Sequence, residues 1–141
     1  MPISDVHAGR SYPPTAPYAV SAAKISEFAA ALGDESPAYQ GPTAIAPPTF
    51  VAVVSATAWE AMFEDPELDL ALRRIVHGDQ RFSYVRPLRA GDVITATLTI
   101  DKVRVRSDSQ IISSSVAVAT VEGEPICTAT STFFHSSEVA A

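Results

Sequence analysis

Fourteen residues from Phe50 to Phe63, Phe-Val-Ala-Val-Val-Ser-Ala-Thr-Ala-Trp-Glu-Ala-Met-Phe, carry a single charge, on Glu60. The run is the length of an ordinary helix and is nearly apolar all round. Such a helix belongs inside a protein rather than on its surface. Proline suits a first helical turn, so the spacing predicts a helix from Pro48 to about Phe63. Phe50, Trp59, Met62 and Phe63 then read as core.

Downstream the pattern changes to period two, which marks half-buried strands. Arg74 to Val85 alternates, with Phe82 and Tyr84 on one face. A turn at Arg89-Ala-Gly-Asp92 precedes a long strand from Val93 to Val105. There Ile94, Ala96, Leu98 and Ile100 share a face, and Val103 and Val105 continue on the opposite parity. That switch predicts a bulge near Asp101. Polar turns at Ser107-Asp108-Ser109 and Glu122-Gly123-Glu124 separate strands over Gln110–Val121 and Pro125–Phe134. Four long strands joined by short turns imply consecutive hairpins in an antiparallel sheet.

Upstream, residues 1 to 17 hold Pro13, Pro14 and Pro17 and read as an extended lead-in. A short strand is expected at Tyr18–Val20. A helix from about Ala22 to Leu32 follows, capped by Ser21, with Ile25, Phe28, Ala29 and Leu32 as its apolar stripe and Gly33 as its stop. Residues 33–47 are irregular, and loops of that length are usually functional or disordered. A sheet must curve around the apolar helix to cover it. The expected class is α+β: one domain over residues 1–141, an antiparallel sheet wrapped around a central helix. A single curved sheet of this size leaves an edge exposed, and dimerisation is the usual remedy.

The 141 residues are 47% hydrophobic and 18% charged, enough to bury a core. The net charge of −6 argues against general nucleic-acid binding. No apolar run is long enough for a bilayer span, and no secretion signal precedes the first strand. One cysteine, Cys127, makes no internal disulfide, and no two of His7, His77 and His135 have ligand spacing, so neither metal nor cofactor is expected. A cytoplasmic location fits these features. Eight of the ten basic residues lie between Arg73 and Arg106. That stretch reads as a solvated strand face, or as a docking surface for an acidic or phosphate-bearing partner.

Three segments carry chemistry: Gly33-Asp-Glu-Ser-Pro-Ala-Tyr39, Ala46-Pro-Pro-Thr-Phe50, and Val76-His-Gly-Asp-Gln-Arg-Phe-Ser-Tyr-Val-Arg-Pro-Leu-Arg-Ala-Gly-Asp92. Together they resemble the MaoC-like hot-dog hydratases and dehydratases, and within them the N-terminal-type domain found in the non-catalytic subunit of bacterial (3R)-hydroxyacyl-carrier-protein dehydratase. The resemblance implies a hot-dog fold and a 3-hydroxyacyl thioester of acyl carrier protein or coenzyme A as substrate. It implies a homodimer, or a heterodimer with a catalytic hot-dog subunit. Active members carry Gly-Asp-x-Asn-Pro-x-His in the first segment. Here Gly33, Asp34 and Pro37 match, Ser36 replaces Asn, and Tyr39 stands where the catalytic His belongs. A phenol with a pKa of about 10 is a poor base at neutral pH. The Asp/His pair is then expected from the partner, as in the heterodimeric dehydratases.

Asp34, Tyr39 and His77 are accordingly the candidate catalytic residues, with Pro48, Thr49, Phe50 and Arg86 on the substrate side. Thr49 and Phe50 are candidates for main-chain donors at the helix start. His77 reads first as a structural histidine near a dimer interface and second as a substitute base beside Asp79. Two other readings stay open. One is a self-sufficient homodimeric enzyme, either a hydratase using Asp34 with His77 or a thioesterase using Glu60. The other is an acyl-thioester-binding protein without activity.

Overall fold

The structure, a computed structural model, describes residues 2–137. It contains β1 (Tyr18–Ala19), α1 (Ala22–Ala31), α2 (Val51–Phe63), β2 (Ile75–Tyr84), β3 (Val93–Arg106), β4 (Ser109–Thr120) and β5 (Pro125–Ser136). The five strands form one antiparallel sheet in the order β1-β3-β4-β5-β2. This curled sheet around a helix is the hot-dog arrangement.

Local chemistry fixes the elements. Ser21 accepts a hydrogen bond from the Lys24 amide at 3.1 Å and so caps α1, an interaction worth about 1 kcal/mol. Gly33 ends the helix with a φ of +73°, a conformation that costs a Cβ-bearing residue more. In β3 the core face runs Ile94, Ala96, Leu98, Ile100, then Val103. The parity changes at a register shift between Ile100 and Lys102, where the bulge was expected.

Helix α2 begins three residues later than the spacing predicts. Pro48 to Phe50 form a turn in which the Phe50 amide donates to the Pro47 carbonyl at 2.9 Å. Residues preceding proline disfavour the α region, so Pro47-Pro48 delays the regular helix. Val51, Val54, Ser55, Ala58 and Met62 are buried against the concave face of the sheet. Ala56, Thr57 and Glu60 are exposed. The helix is therefore half wrapped, because a single sheet covers one side of it only.

The expectation of four successive hairpins does not hold. β3-β4 and β4-β5 are hairpins, but β2 pairs with β5 on the far side of the sheet. The segment between β2 and β3 is not a tight turn. It crosses the end of the fold and is held there by the loop before α2: Ala46 N donates to Leu88 O at 2.8 Å, and Ala90 N donates to Ala44 O at 2.9 Å. Leu88 is buried, which anchors the crossing.

The two outer edges of the sheet differ. The lead-in runs antiparallel to β3, with Gly9 N bonded to Ile100 O, Tyr12 N to Leu98 O and Thr15 N to Ala96 O. Arg10 ties it to the segment after α2 through Asp65 at 2.8 Å and Glu67 at 2.6 Å, and the Tyr12 hydroxyl donates to Asp65 at 2.6 Å. β2 pairs with β5 on one side and forms the open edge of the sheet on the other.

Candidate functional site

A groove of about 290 Å³ opens beside the start of α2. Three chain segments build it: Tyr39 and Ile45 from the loop after α1, Pro48 from the turn into α2, and Tyr84, Arg86 and Pro87 from the end of β2. Its walls are mostly apolar side chains, with two phenols.

The loop is shaped by its own polar residues. Asp34 Oδ1 accepts from Ser36 N at 3.0 Å, and Ser36 Oγ accepts from Ala38 N at 3.3 Å. These local bonds mimic backbone turns and set up the 3-10 turn Pro37–Tyr39. Ile45 N bonds back to Ala38 O at 2.9 Å. Tyr39 is thereby presented half-buried at the groove wall, while Asp34 stays exposed in the loop and does not line the groove.

The opposite wall is fixed by Tyr84, whose hydroxyl donates to the Pro48 carbonyl. Burial, and then the neighbouring Cys127, push the Tyr84 phenol well above its ordinary pKa, so it stays protonated and remains a donor. Sequence reasoning placed Tyr84 only in the apolar face of its strand. The available signal was the hydroxyl on an aromatic at a half-buried position, which needs a partner.

Arg86 lines the groove, but its guanidinium is spent within the chain. Nε and one terminal nitrogen take Glu124 at 2.9 and 3.1 Å, and the terminal nitrogens take Asp92 at 2.9 and 3.1 Å and Pro87 O at 2.9 Å. All five donors of the fork are used. Burial opposes ionisation of Asp92, yet the hydrogen bonds from Arg86 and Arg89 N outweigh it and hold the carboxyl below the usual range. The Arg86 bonds likewise lower the Glu124 carboxyl. What Arg86 offers the groove is its stem and a rigid wall.

At the mouth of α2 the Phe50 amide is already bonded to Pro47, and the Phe50 ring is fully buried against Phe28, with centroids 5.3 Å apart. Thr49 is exposed, and among the described residues its amide makes no main-chain bond. No side chain caps the helix at Phe50. Ala52 N and Val53 N donate to Thr49 O at 3.0 Å and Phe50 O at 2.9 Å, so the head of α2 offers the Thr49 amide and the positive end of the helix dipole.

His77 is not part of this constellation. It precedes Tyr84 by seven residues of strand, about 20 Å. Its ring lies against Trp59 at 5.1 Å and Phe133 at 5.2 Å near the other end of α2, and its Nε2 contacts Asp79 O at 3.1 Å. Glu60 is exposed on the open side of α2. His7 and His135, both buried, are engaged locally: His7 Nδ1 accepts from Ser4 N at 3.0 Å, and His135 bonds Ala71 and Gln110. Thus Tyr39, Pro48 and Arg86 meet in one groove, and Thr49 follows Pro48 without lining it. Phe50 lies beneath, Asp34 outside, and His77 at the far end.

The basic stretch also divides in space. Arg73 and Arg74 enter β2 at the same end of the sheet where Lys102, Arg104 and Arg106 leave β3, whereas Arg86 and Arg89 are at the groove end. No cluster of metal-ligating side chains occurs among the described residues. Nor is any helix among them long and apolar enough to cross a membrane.

Residues 6–129 match the family model described as FAS1-like, dehydratase domain region. A UPF0336 protein of Cutibacterium acnes is 51% identical over 136 residues, covering 96% of each chain. Among solved structures, the HadBC (3R)-hydroxyacyl-ACP dehydratase complex of Mycobacterium tuberculosis superposes with a TM-score of 0.79 and 26% identity, over 91% of this chain and 96% of that one. A MaoC-like dehydratase from Rhodospirillum rubrum superposes with a TM-score of 0.72 and 20% identity, over 94% of both chains. The fold and these matches agree: the chain has the hot-dog fold that the MaoC-like dehydratases share, and it belongs to the FAS1-like dehydratase-region family.

Proposed function

We propose that this chain is the substrate-binding subunit of a (3R)-hydroxyacyl-thioester dehydratase, acting on acyl carrier protein or coenzyme A thioesters, with the acid–base pair supplied by a partner hot-dog subunit. The observation that carries the reading is the groove itself. It has an apolar wall for an acyl chain and a helix N-terminus at its edge, but a phenol, Tyr39, where the family's histidine would stand. The relative in the HadBC structure is itself a complex of hot-dog chains, which favours a partner here.

Dehydration removes a proton from C2 and expels the hydroxyl from C3. A histidine near neutrality beside a carboxylate can serve both steps. Among the described histidines none lines the groove. The developing negative charge falls on the thioester oxygen. The Thr49 amide supplies a fixed donor, and the head of α2 a positive dipole, for it without reorganisation. Tyr39 and the Tyr84–Pro48 wall exclude water and hold the acyl chain. Asp34 contributes by shaping the loop that carries Tyr39.

The test is enoyl-thioester hydration measured with the purified chain and with the chain co-expressed with a hot-dog subunit carrying an intact Asp/His motif. The expected result is little turnover alone and robust turnover together. Full activity of the chain alone would reject the proposal in favour of a homodimeric enzyme. Tight thioester binding with no turnover in either setting would reject it in favour of a binding protein.

A further inference from the structure

The segments that build the groove hold two cations, Arg86 and Arg89, and the Arg86 fork is spent. Arg89 lies on the crossing between β2 and β3. It is exposed, and among the described residues its guanidinium makes no hydrogen bond or ion pair. Its main chain, by contrast, is pinned. Arg89 N donates to Asp92 Oδ2 at 2.8 Å. Its two neighbours bond the loop before α2, with Ala46 N donating to Leu88 O and Ala90 N to Ala44 O. These bonds set Ile45 and Arg89 directly opposite each other in an antiparallel bridge. The pair is of the non-hydrogen-bonded kind, in which side chains on one face stand closest. Ile45 lines the groove. The Arg89 stem therefore starts beside a groove wall, from a fixed main chain, with its charge in solvent.

We infer that Arg89 binds the phosphate of the phosphopantetheine arm, the group common to acyl carrier protein and coenzyme A thioesters. On the thioester reading of the groove, on which this rests, Arg89 anchors the carrier end while the apolar wall takes the acyl end. Ile45 is four residues from Thr49, at most about 14 Å of chain, and the bridge adds about 5 Å. An extended pantetheine arm and an arginine side chain together cover that span. The local charges permit the contact. Asp92 and Glu124 balance Arg86 and Arg89, so no net negative charge among the four opposes a phosphate. Arg86 already engages both carboxylates, which leaves the Arg89 fork its donors for an anion.

Calorimetric titration of the purified chain with an enoyl pantetheine thioester and with its phosphorylated form tests the contact. The phosphate should tighten binding about tenfold, and the gain should shrink as salt is raised, since an exposed ion contact is screened. In Arg89→Ala the two ligands should bind alike. Arg89→Lys should keep part of the gain, because lysine still meets phosphate as a point charge. Should Arg89→Ala fail to fold by circular dichroism, Arg89→Gln takes its place. Enoyl-coenzyme A and enoyl-carrier protein should both bind Arg89→Ala more weakly; a loss with one alone supports the contact and names the carrier. Equal binding of the two pantetheine ligands by the wild-type chain, binding of neither, a gain indifferent to salt, or a gain that survives in Arg89→Ala would overturn the inference. Hydration of the unphosphorylated thioester by the complex with a catalytic subunit is read separately. Turnover without a phosphate gain rejects the contact and keeps the dehydratase reading. A phosphate gain without turnover keeps the contact and rejects that reading.

Discussion

The Tyr84 hydroxyl donates to the Pro48 carbonyl, fastening the last residue of β2 to the turn that opens α2. The bond joins the two walls of the groove. It also holds the orientation of the helix head, on which any donor role of the Thr49 amide depends. Tyr84→Phe should leave the ring packed and remove this bond alone. The expected cost is about 1 kcal/mol, or a fall in melting temperature of about 3 °C for a chain of this size. In the active complex it should lower kcat more than it raises KM, because the start of α2 is loosened rather than the acyl site emptied. Differential scanning calorimetry and steady-state kinetics check the two parts.

Arg86 predicts a failure of conservative substitution. Its planar fork satisfies Asp92 and Glu124 at once, a geometry that a lysine ammonium does not reproduce. Arg86→Lys should therefore destabilise the chain by about 1–3 kcal/mol, nearly as much as Arg86→Ala. A shift in urea midpoint, at unchanged m-value, is the measurement. A Lys variant as stable as wild type would show that the fork geometry is immaterial.

His135 should make stability pH-dependent. Its Nε2 accepts from the Ala71 amide at 3.1 Å, and an amide can only donate, so the proton sits on Nδ1 and goes to Gln110 Oε1 at 2.7 Å. Burial, reinforced by Arg74 and opposed by Asp69, lowers its pKa below the ordinary value. The unfolded chain therefore takes up this proton more readily than the folded one. The contribution of neutral His135 is fully present above the ordinary histidine pKa of about 6.5 and is lost as pH falls below it. Chemical denaturation at pH 7.5 and pH 5.5 should show a loss that is reduced in His135→Gln. An equal loss in both proteins would remove His135 as the cause.

Tyr39 forms one wall of the groove, and its removal should widen the site. Tyr39→Ala in the active complex should move preference toward longer or bulkier enoyl thioesters. The length giving the highest kcat/KM should rise, with stability changed by only about 1 kcal/mol, since the residue is half-exposed. An unaltered chain-length profile would place the acyl chain elsewhere.

Met62 tests the central packing. It is fully buried on the sheet side of α2. Met62→Ala should cost about 2–5 kcal/mol through lost burial and the cavity left behind. Thr57→Ala, on the exposed side of the same helix, should be within about 0.5 kcal/mol of wild type. Paired urea titrations report both.

The strands, both helices and the bulge before Lys102 were legible from residue patterns, because side-chain alternation and helical spacing are local properties. The segments that line the groove had been singled out by family resemblance, not by periodicity. Pairing order was not legible. Val85 to Asp92 contains a turn signal and reads as a hairpin. Nothing local says that β2 instead crosses the end of the fold to lie beside β5. That choice rests on long-range bonds, Ala46 to Leu88 and Ala90 to Ala44, and on the burial of Leu88.

The division at the site has the same origin. The sequence alone indicated an apolar helix under a twisted antiparallel sheet, and its resemblance to the family put Tyr39 where a histidine is expected. The tertiary structure alone placed Tyr84 over Pro48 and spent the Arg86 fork on Asp92 and Glu124. It also set His77 against Trp59 at the far end of α2 and separated the basic residues of one continuous stretch. Periodicity dictates which face a residue takes. Which residues meet across the chain depends on strand order, and strand order is decided by packing between segments distant in sequence.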